Sequence, residues 1–284
     1  MCSKSTDSEC LQNCGSSLLR SNSKRNFSWT SVGGKRPFDP NIKYIVVGKG
    51  RKMDWLNSVG AKIEAAFLTG DRWKLYLSGL GVTMEVSLLA VFIGIVLGTL
   101  LAFMKLSVTR GGKQTILARI ASIYIDIIRG TPSVLQLLIM WFVVLKTWKN
   151  GTLVAGITFG MNSAAYVAEI VRAGILAVDK GQTEAGRSLG LNKFQTMRYI
   201  VIPQAFKNVL PPLGNEFIVL IKETAIVGYV GLSDLTRTAN QITSRTYDAF
   251  TPLIGAAIIY FVITKLLSIL LGCLERRMRK SDNR

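Results

Sequence analysis

The sequence predicts an all-α protein that crosses a membrane several times. The chain has 284 residues, of which 49% are hydrophobic, and its mean hydropathy of +0.33 is high for a water-soluble domain. Its apolar residues are gathered in long runs, and 75–103 contains a single formal charge, Glu85. A helix of that length is roughly 40 Å long at about 1.5 Å per residue, which is enough to cross a bilayer with some tilt.

Five apolar runs are long enough to span a membrane. They lie at about 75–103, 117–146, 152–178, 204–230 and 252–274, after a pre-membrane segment at 53–74. In the first, Gly94 and Gly98 have a four-residue spacing that permits close helix packing, although a lipid-facing position is the alternative. Pro132 interrupts the second run, because proline removes an amide donor and bends or breaks a helix. Pro211 and Pro212 lie near the start of the fourth.

The net charge of +18 would suit nucleic-acid binding, but its distribution favours a membrane topology. Basic residues follow the first span, occupy the connection between spans three and four, and close the chain at 278–284. The connections near 146–152 and 231–251 contain few. Positive charge on alternate loops predicts that the basic loops are cytoplasmic. With five spans, the C-terminus is then cytoplasmic and the N-terminus external.

Residues 1–52 form a basic tail that does not fit this topology, because the tail is placed outside. It is polar and has no sustained apolar period, so we predict disorder. Cys2, Cys10 and Cys14 lack paired zinc-site spacing, and the chain has no His. We predict no metal site and no cofactor. We also hypothesise that translation starts at Met53, since purine-rich codons for the residues before it can resemble a ribosome-binding site; a native tail is the alternative.

The polar connection at 180–203 lies between two apolar spans and is the most informative stretch. A short helix over 182–189 is expected to end at Gly190, which tolerates the left-handed conformation. Asn192 is suited to cap a second helix, and Pro203 marks the entry to the fourth span.

Two interpretations of this connection are open. In the functional one it is a surface knob that inserts into a partner's cleft, with polar contacts from Glu184 and Arg187. In the other it is an ordinary solvated loop, which spacing alone favours.

Ionisable and polar residues inside the predicted spans are candidates for a solute pathway. A charge at mid-bilayer costs about 2.5–3.5 kcal/mol on insertion scales, so an unpaired one is expensive. Glu169 and Arg172 are three residues apart and can pair on one helix face. Asn162, Ser163 and Glu216 can offer hydrogen bonds or charge to a zwitterion. For Glu169 and Arg172 a purely structural pair near the cytoplasmic end of the helix is the alternative.

The connection at 180–203 resembles the cytoplasmic loop of ATP-binding-cassette (ABC) importer permeases. That loop has the pattern Glu-Ala-Ala-x-x-x-Gly, then nine residues, then Ile-x-Leu-Pro. The matching positions are Glu184, Ala185, Gly190, Ile200 and Pro203. Gly186 replaces the second alanine, at a cost of about 1 kcal/mol in helix propensity, and Ile202 replaces the leucine.

Other segments are similar to the polar amino-acid uptake branch (histidine/glutamine-type permeases) of these proteins. Together they cover about residues 76–277. They are Gly79–Thr83, Arg129–Pro132 with Gln136-Leu137, Ala165–Ile175, Gly181-Gln182, Leu189–Leu191, Pro203–Ala205, Leu210–Pro212 and Lys222–Thr224.

The resemblance implies the five-span core of the type I ABC importer permease fold, with a coupling-helix loop, in a bacterial plasma membrane. It implies a second permease subunit, identical or related, an ABC ATPase subunit, an external solute-binding protein, an amino-acid substrate and surrounding lipid, and no nucleic acid. The coupling residues would be Glu184, Ala185, Gly186, Arg187, Gly190 and Pro203. The sequence contains no Gly-x-x-x-x-Gly-Lys-Ser/Thr, so the chain is expected not to be an enzyme and to depend on another chain for ATP hydrolysis.

Three other functions remain open on the residues alone. A secondary transporter or channel would need inverted repeats or an ion path, and no internal repeat is evident. A membrane enzyme would need a compact nucleophile and base. A nucleic-acid binder would use the basic tail.

Overall fold

The computed structural model describes residues 51–107 and 114–282, and the elements of these residues are all helices. The prediction of an all-α fold is confirmed. Residues 1–50 of the predicted tail, with its cysteines, lie outside the described residues, whereas its last two residues begin the first helix. The α-helices are α1 (Arg51–Ile63), α2 (Arg72–Leu106), α3 (Ile116–Gly130), α4 (Ser133–Ile139), α5 (Gly151–Leu176), α6 (Lys180–Ser188), α7 (Lys193–Thr196), α8 (Ile202–Glu223), α9 (Leu235–Thr246) and α10 (Phe250–Asp282). Short π-turns occupy Glu64–Leu68, Met140–Val144 and Met197–Val201, and 3-10 turns occupy Thr69–Asp71 and Thr224–Val230.

Several of these helices are long and apolar enough to cross a membrane. Within the described residues, three pass on length and composition: Asn57–Leu106, Gly151–Leu176 and Phe250–Met278. The pair Ile116–Gly130 and Ser133–Val144 makes a fourth span if it is counted as one, bent by 104° at the break. The chain is therefore a multi-pass membrane protein, and the predicted interruption at Pro132 is confirmed.

The break between α3 and α4 exposes carbonyl groups that the side chain of Gln136 satisfies. Its Nε2 donates to the carbonyl oxygens of Ile128 at 2.8 Å and Thr131 at 3.2 Å, and to the Thr131 hydroxyl at 2.7 Å. A lipid bilayer cannot supply these hydrogen bonds, so irregular backbone in a membrane needs partners from the protein. Gln136 thus allows a proline break where a continuous helix would otherwise be required.

The fourth predicted span corresponds to α8, which is more polar than the others. It is about 33 Å long at 1.5 Å per residue, but it carries Lys207, Asn208 and Glu216 and is absent from the apolar set. The regular helix ends at Glu223, and the remainder of the predicted span is a 3-10 turn. Crossing by α8 stays a prediction.

The centre of the fold is the close packing of α2 against α5. Gly94 and Gly98 of α2 are both buried. A Cβ atom at Gly94 would lie 2.9 Å from the hydroxyl oxygen of Ser163, and one at Gly98 would lie 2.7 Å from the carbonyl oxygen of Ala164. The prediction of a close-packing glycine face is confirmed, and the lipid-facing alternative is wrong.

A helix, α9, lies in the stretch that the sequence predicted as the connection 231–251. Its residues Leu235, Ala239 and Ile242 are buried beside Tyr76 of α2 and Ala256 of α10. Their i, i+4, i+7 spacing is the signal of an amphipathic helix. The helix was missed because it is too short to be a span.

The glycine face predicts a large effect of side-chain volume at one position of α2. Gly98→Val should lower the free energy of unfolding by about 1–3 kcal/mol, because the new side chain must displace the α5 backbone. Gly81→Val is the matched control, since no atom lies within 4 Å of a Cβ at Gly81. Unfolding in detergent micelles would measure both. Equal stability of the two variants would contradict the packing described.

Candidate functional site

Residues 180–203, here called the coupling segment, form a compact helical unit between α5 and α8. Its first helix, α6, begins after Asp179, whose carboxylate accepts from the amide of Gly181 at 2.6 Å. The helix ends where predicted, because Gly190 has a φ of +84°. The amide of Leu191 donates to the carbonyl of Gly186 at 3.1 Å, the 6→1 bond of a Schellman motif.

The second half of the coupling segment is also capped by its own side chains. Asn192 and Gln195 form a reciprocal capping box at the start of α7, which confirms Asn192 as an N-cap. A π-turn over Met197–Val201 then precedes Pro203, near the start of α8. A proline inside a regular helix clashes with the carbonyl four residues back, and the wider turn places that carbonyl outside the regular ladder. The segment therefore enters α8 without an unstructured joint.

Gly186 joins the two halves of the coupling segment. It is buried, and a Cβ atom there would lie 2.7 Å from Ile200 Cδ1 and 3.0 Å from Thr196 Cγ2. The glycine that replaces the second alanine of the pattern thus permits α6 to rest closely on the following turn. Gln204 of α8 adds a hydrogen bond to Gln182 at 3.3 Å.

The outer face of the coupling segment combines free charge with exposed apolar side chains. Glu184 and Arg187 are exposed, and neither takes part in an ion pair among the described residues. Leu189 is 80% exposed and Phe194 is 72% exposed. Exposed apolar side chains gain free energy when a partner removes them from water, so these two favour a protein-binding surface. Ala185 is exposed on the same helix.

Inside α5, the side chain of Asn162 is hydrogen-bonded to that of Gln136. It is 3% exposed, and its Nδ2 donates to Gln136 Oε1 at 2.9 Å. Because Gln136 holds the break between α3 and α4, Asn162 connects that break to the central helix. Sequence reasoning placed Gln136 in a family motif but did not anticipate this contact.

Ser163 and Glu216 are in direct contact. The hydroxyl of Ser163, which is fully buried, donates to Glu216 Oε1 at 2.9 Å. Ser163 also faces Gly94, so the pair lies where α2, α5 and α8 meet. One oxygen of the half-buried Glu216 carboxylate therefore has a described partner.

Glu169 forms a cluster of three charges. Arg172 Nε and Nη2 donate to its Oε2 at 3.0 and 2.8 Å, which confirms the predicted pairing. Lys105, at the end of α2, donates to its Oε1. The sequence did not indicate Lys105, since a residue 64 positions away leaves no local signal. The cluster joins α2 to α5 near the coupling segment.

Comparison with known proteins identifies the family to which this chain belongs. The family model described as "binding-protein-dependent transport system inner membrane component" matches residues 94–280, well over half of the chain. The chain belongs to this family. It is therefore a transport permease component, and the predicted ABC permease fold is confirmed.

Relatives and a solved structure support the same assignment. The arginine transport system permease protein ArtQ of Bacillus subtilis is 40% identical over 72% of this chain and 93% of its own length. The glutamine transport system permease protein GlnP of Escherichia coli K12 is 36% identical over 72% and 93%. A crystal structure of an amino acid ABC transporter with histidines has a TM-score of 0.68 and 47% identity, covering 74% of this chain and 98% of that one.

Proposed function

We propose that this chain is the membrane subunit of an ABC importer for a polar amino acid, driven by a separate ATPase. The observation that carries the proposal is the coupling segment, which is charged, capped at both helices and presents Leu189 and Phe194 outward. The similarity to arginine and glutamine permeases supports a polar amino acid as the solute. An external solute-binding protein would deliver it, and a second permease subunit would complete the membrane pathway.

The coupling segment is suited to transmit the movement of a bound ATPase because it has few internal degrees of freedom. Gly190 ends α6 and Asn192 caps the start of α7. Gly186 lets α6 pack closely against the turn that follows α7. The segment continues into α8 through a helical turn ending beside Pro203. If an ATPase bound Glu184 and Arg187, its movement would therefore be transmitted to α8 and would not be lost in deformation of a flexible loop.

The basic residues of the coupling segment support a cytoplasmic position for it, as does the basic end of α10. Since α8 begins at the coupling segment, its Glu223 end and α9 would face the exterior. The C-terminus would then be cytoplasmic.

For the solute pathway, the local contacts favour Glu216 over Glu169. Glu216 carries one described hydrogen bond, from Ser163, and so has acceptor capacity for an ammonium group. Glu169 is already held by Lys105 and Arg172, which supports the structural interpretation of that cluster. Asn162 and Ser163 would position the pathway, Asn162 through Gln136 and Ser163 through Glu216.

The docking proposal predicts that reversing the charge of Glu184 abolishes binding of the ATPase subunit. Glu184→Lys should abolish co-purification of the ATPase and ATP-dependent uptake in proteoliposomes, because it reverses an exposed contact without touching the core. Glu64→Lys, a charge reversal at another exposed glutamate outside the coupling segment, should leave both unchanged. Retention of the ATPase by the Glu184 variant would overturn the docking role, and lack of uptake by the wild-type complex would overturn the importer function.

The pathway proposal predicts different defects at the two carboxylates. Glu216→Gln should lower uptake at least tenfold while the unfolding midpoint stays close to wild type, because it removes charge from the solute's path and keeps the Ser163 hydrogen bond. Glu169→Gln should lower the unfolding midpoint, because it leaves Lys105 and Arg172 without their counter-charge. Uptake assays and thermal unfolding in detergent would measure both. Wild-type uptake by the Glu216 variant would remove Glu216 from the path.

A further inference from the structure

An open cavity of about 520 Å³ lies between the 3-10 turn Thr224–Val230 and α9. It lies at the end of α8 remote from the coupling segment. Its lining residues are Ala225, Gly228, Tyr229, Thr236, Arg237, Asn240, Gln241 and Ser244. The volume is within the range of about 300–1,000 Å³ that small-molecule sites occupy.

Arg237 is the one charged residue among those that line this cavity. Its Nη1 donates to the carbonyl oxygen of Gly228, and its buried Nε has no partner among the described residues. None of the described ion pairs includes it. A guanidinium has five donors in a planar fork that matches a carboxylate, so this one has donors to spare.

Asp234, the acid three residues before Arg237, forms no ion pair with it among the described residues. Asp234 is fully buried, and its carboxylate accepts from the amides of Thr236 and Arg237 as the N-cap of α9. The hydroxyl of Tyr260 also lies 3.4 Å from it. The carboxyl group of Asp234 is thus held at the start of the helix, and none of the described ion pairs joins it to Arg237.

We propose that this cavity binds the free α-carboxylate of the amino acid at the outer mouth of the pathway, through Arg237. The proposal rests on the proposed importer function, since it concerns the same solute. Hydroxyl and amide groups of Thr236, Asn240 and Ser244 provide acceptors for the solute's ammonium group. The site would recognise the part common to all amino acids and would leave side-chain discrimination to other residues.

The test compares an amino acid with the same molecule lacking the carboxylate charge. Binding of L-glutamine, L-arginine and their α-amides would be measured on the permease–ATPase complex in nanodiscs. Arg237→Gln should weaken binding of the amino acid by about tenfold or more, the usual loss for a charged hydrogen bond, and should change binding of the amide little. Arg245→Gln, an exposed arginine of the same helix outside the cavity lining, should behave as wild type.

A second variant covers the case in which Arg237→Gln fails to fold. Asn240→Asp places a carboxylate in the cavity at an exposed, nearly isosteric position, and it should also weaken binding of the amino acid. If Arg237→Gln weakened binding of the amino acid and of its α-amide equally, Arg237 would have only a structural role and the proposed site would be wrong. Wild-type affinity in both variants, or no binding of either amino acid by the wild-type complex, would also overturn the site. Uptake by wild-type proteoliposomes, measured in parallel, would show whether the importer function stands independently.

Discussion

The two central helices, α2 and α5, approach each other so closely that there is no room for a Cβ atom at Gly98, which would lie 2.7 Å from the carbonyl oxygen of Ala164. This approach brings Lys105 of α2 to Glu169 of α5 at one end of the seam. Further along, Ser163 of α5 faces Gly94 across the seam and donates to Glu216 of α8. Because backbone meets backbone at the seam, α5 has little freedom to shift relative to α2.

The coupling segment follows directly from this anchored helix. The charge cluster at Glu169 holds the end of α5 from which the coupling segment starts, and the segment leads into α8 on its other side. α8 is the most polar of the predicted spans and carries Glu216. In the coupling mechanism that we propose, the segment would move together with α8, while α5 would stay packed against α2.

Local signals made much of this structure predictable from the sequence. Gly190 and Asn192 act on backbone groups a few residues away, and Pro132 breaks its own helix, so each could be recognised without knowing the fold. The four-residue spacing of Gly94 and Gly98 indicated a face suited to close packing, but it did not identify α5 as the partner helix.

Contacts between distant segments could not be predicted in this way. Lys105 reaches Glu169 across 64 positions of sequence, and Gln136 reaches Asn162 across 26. Nothing local distinguishes these partners from other polar residues. Arg237 was counted only as one of few charges on a connection, because the helix α9 that positions it was not foreseen.

The account depends most on which side of the membrane the coupling segment faces. In a chain whose Cys2, Cys10, Cys14 and Cys273 are replaced by serine, single cysteines at Ser188 and Tyr247 would be treated with a membrane-impermeant maleimide. We expect the cysteine at position 188 to react only after permeabilisation and to be protected by the ATPase subunit, while the one at 247 reacts in intact cells. Labelling at position 188 from outside intact cells would contradict the account.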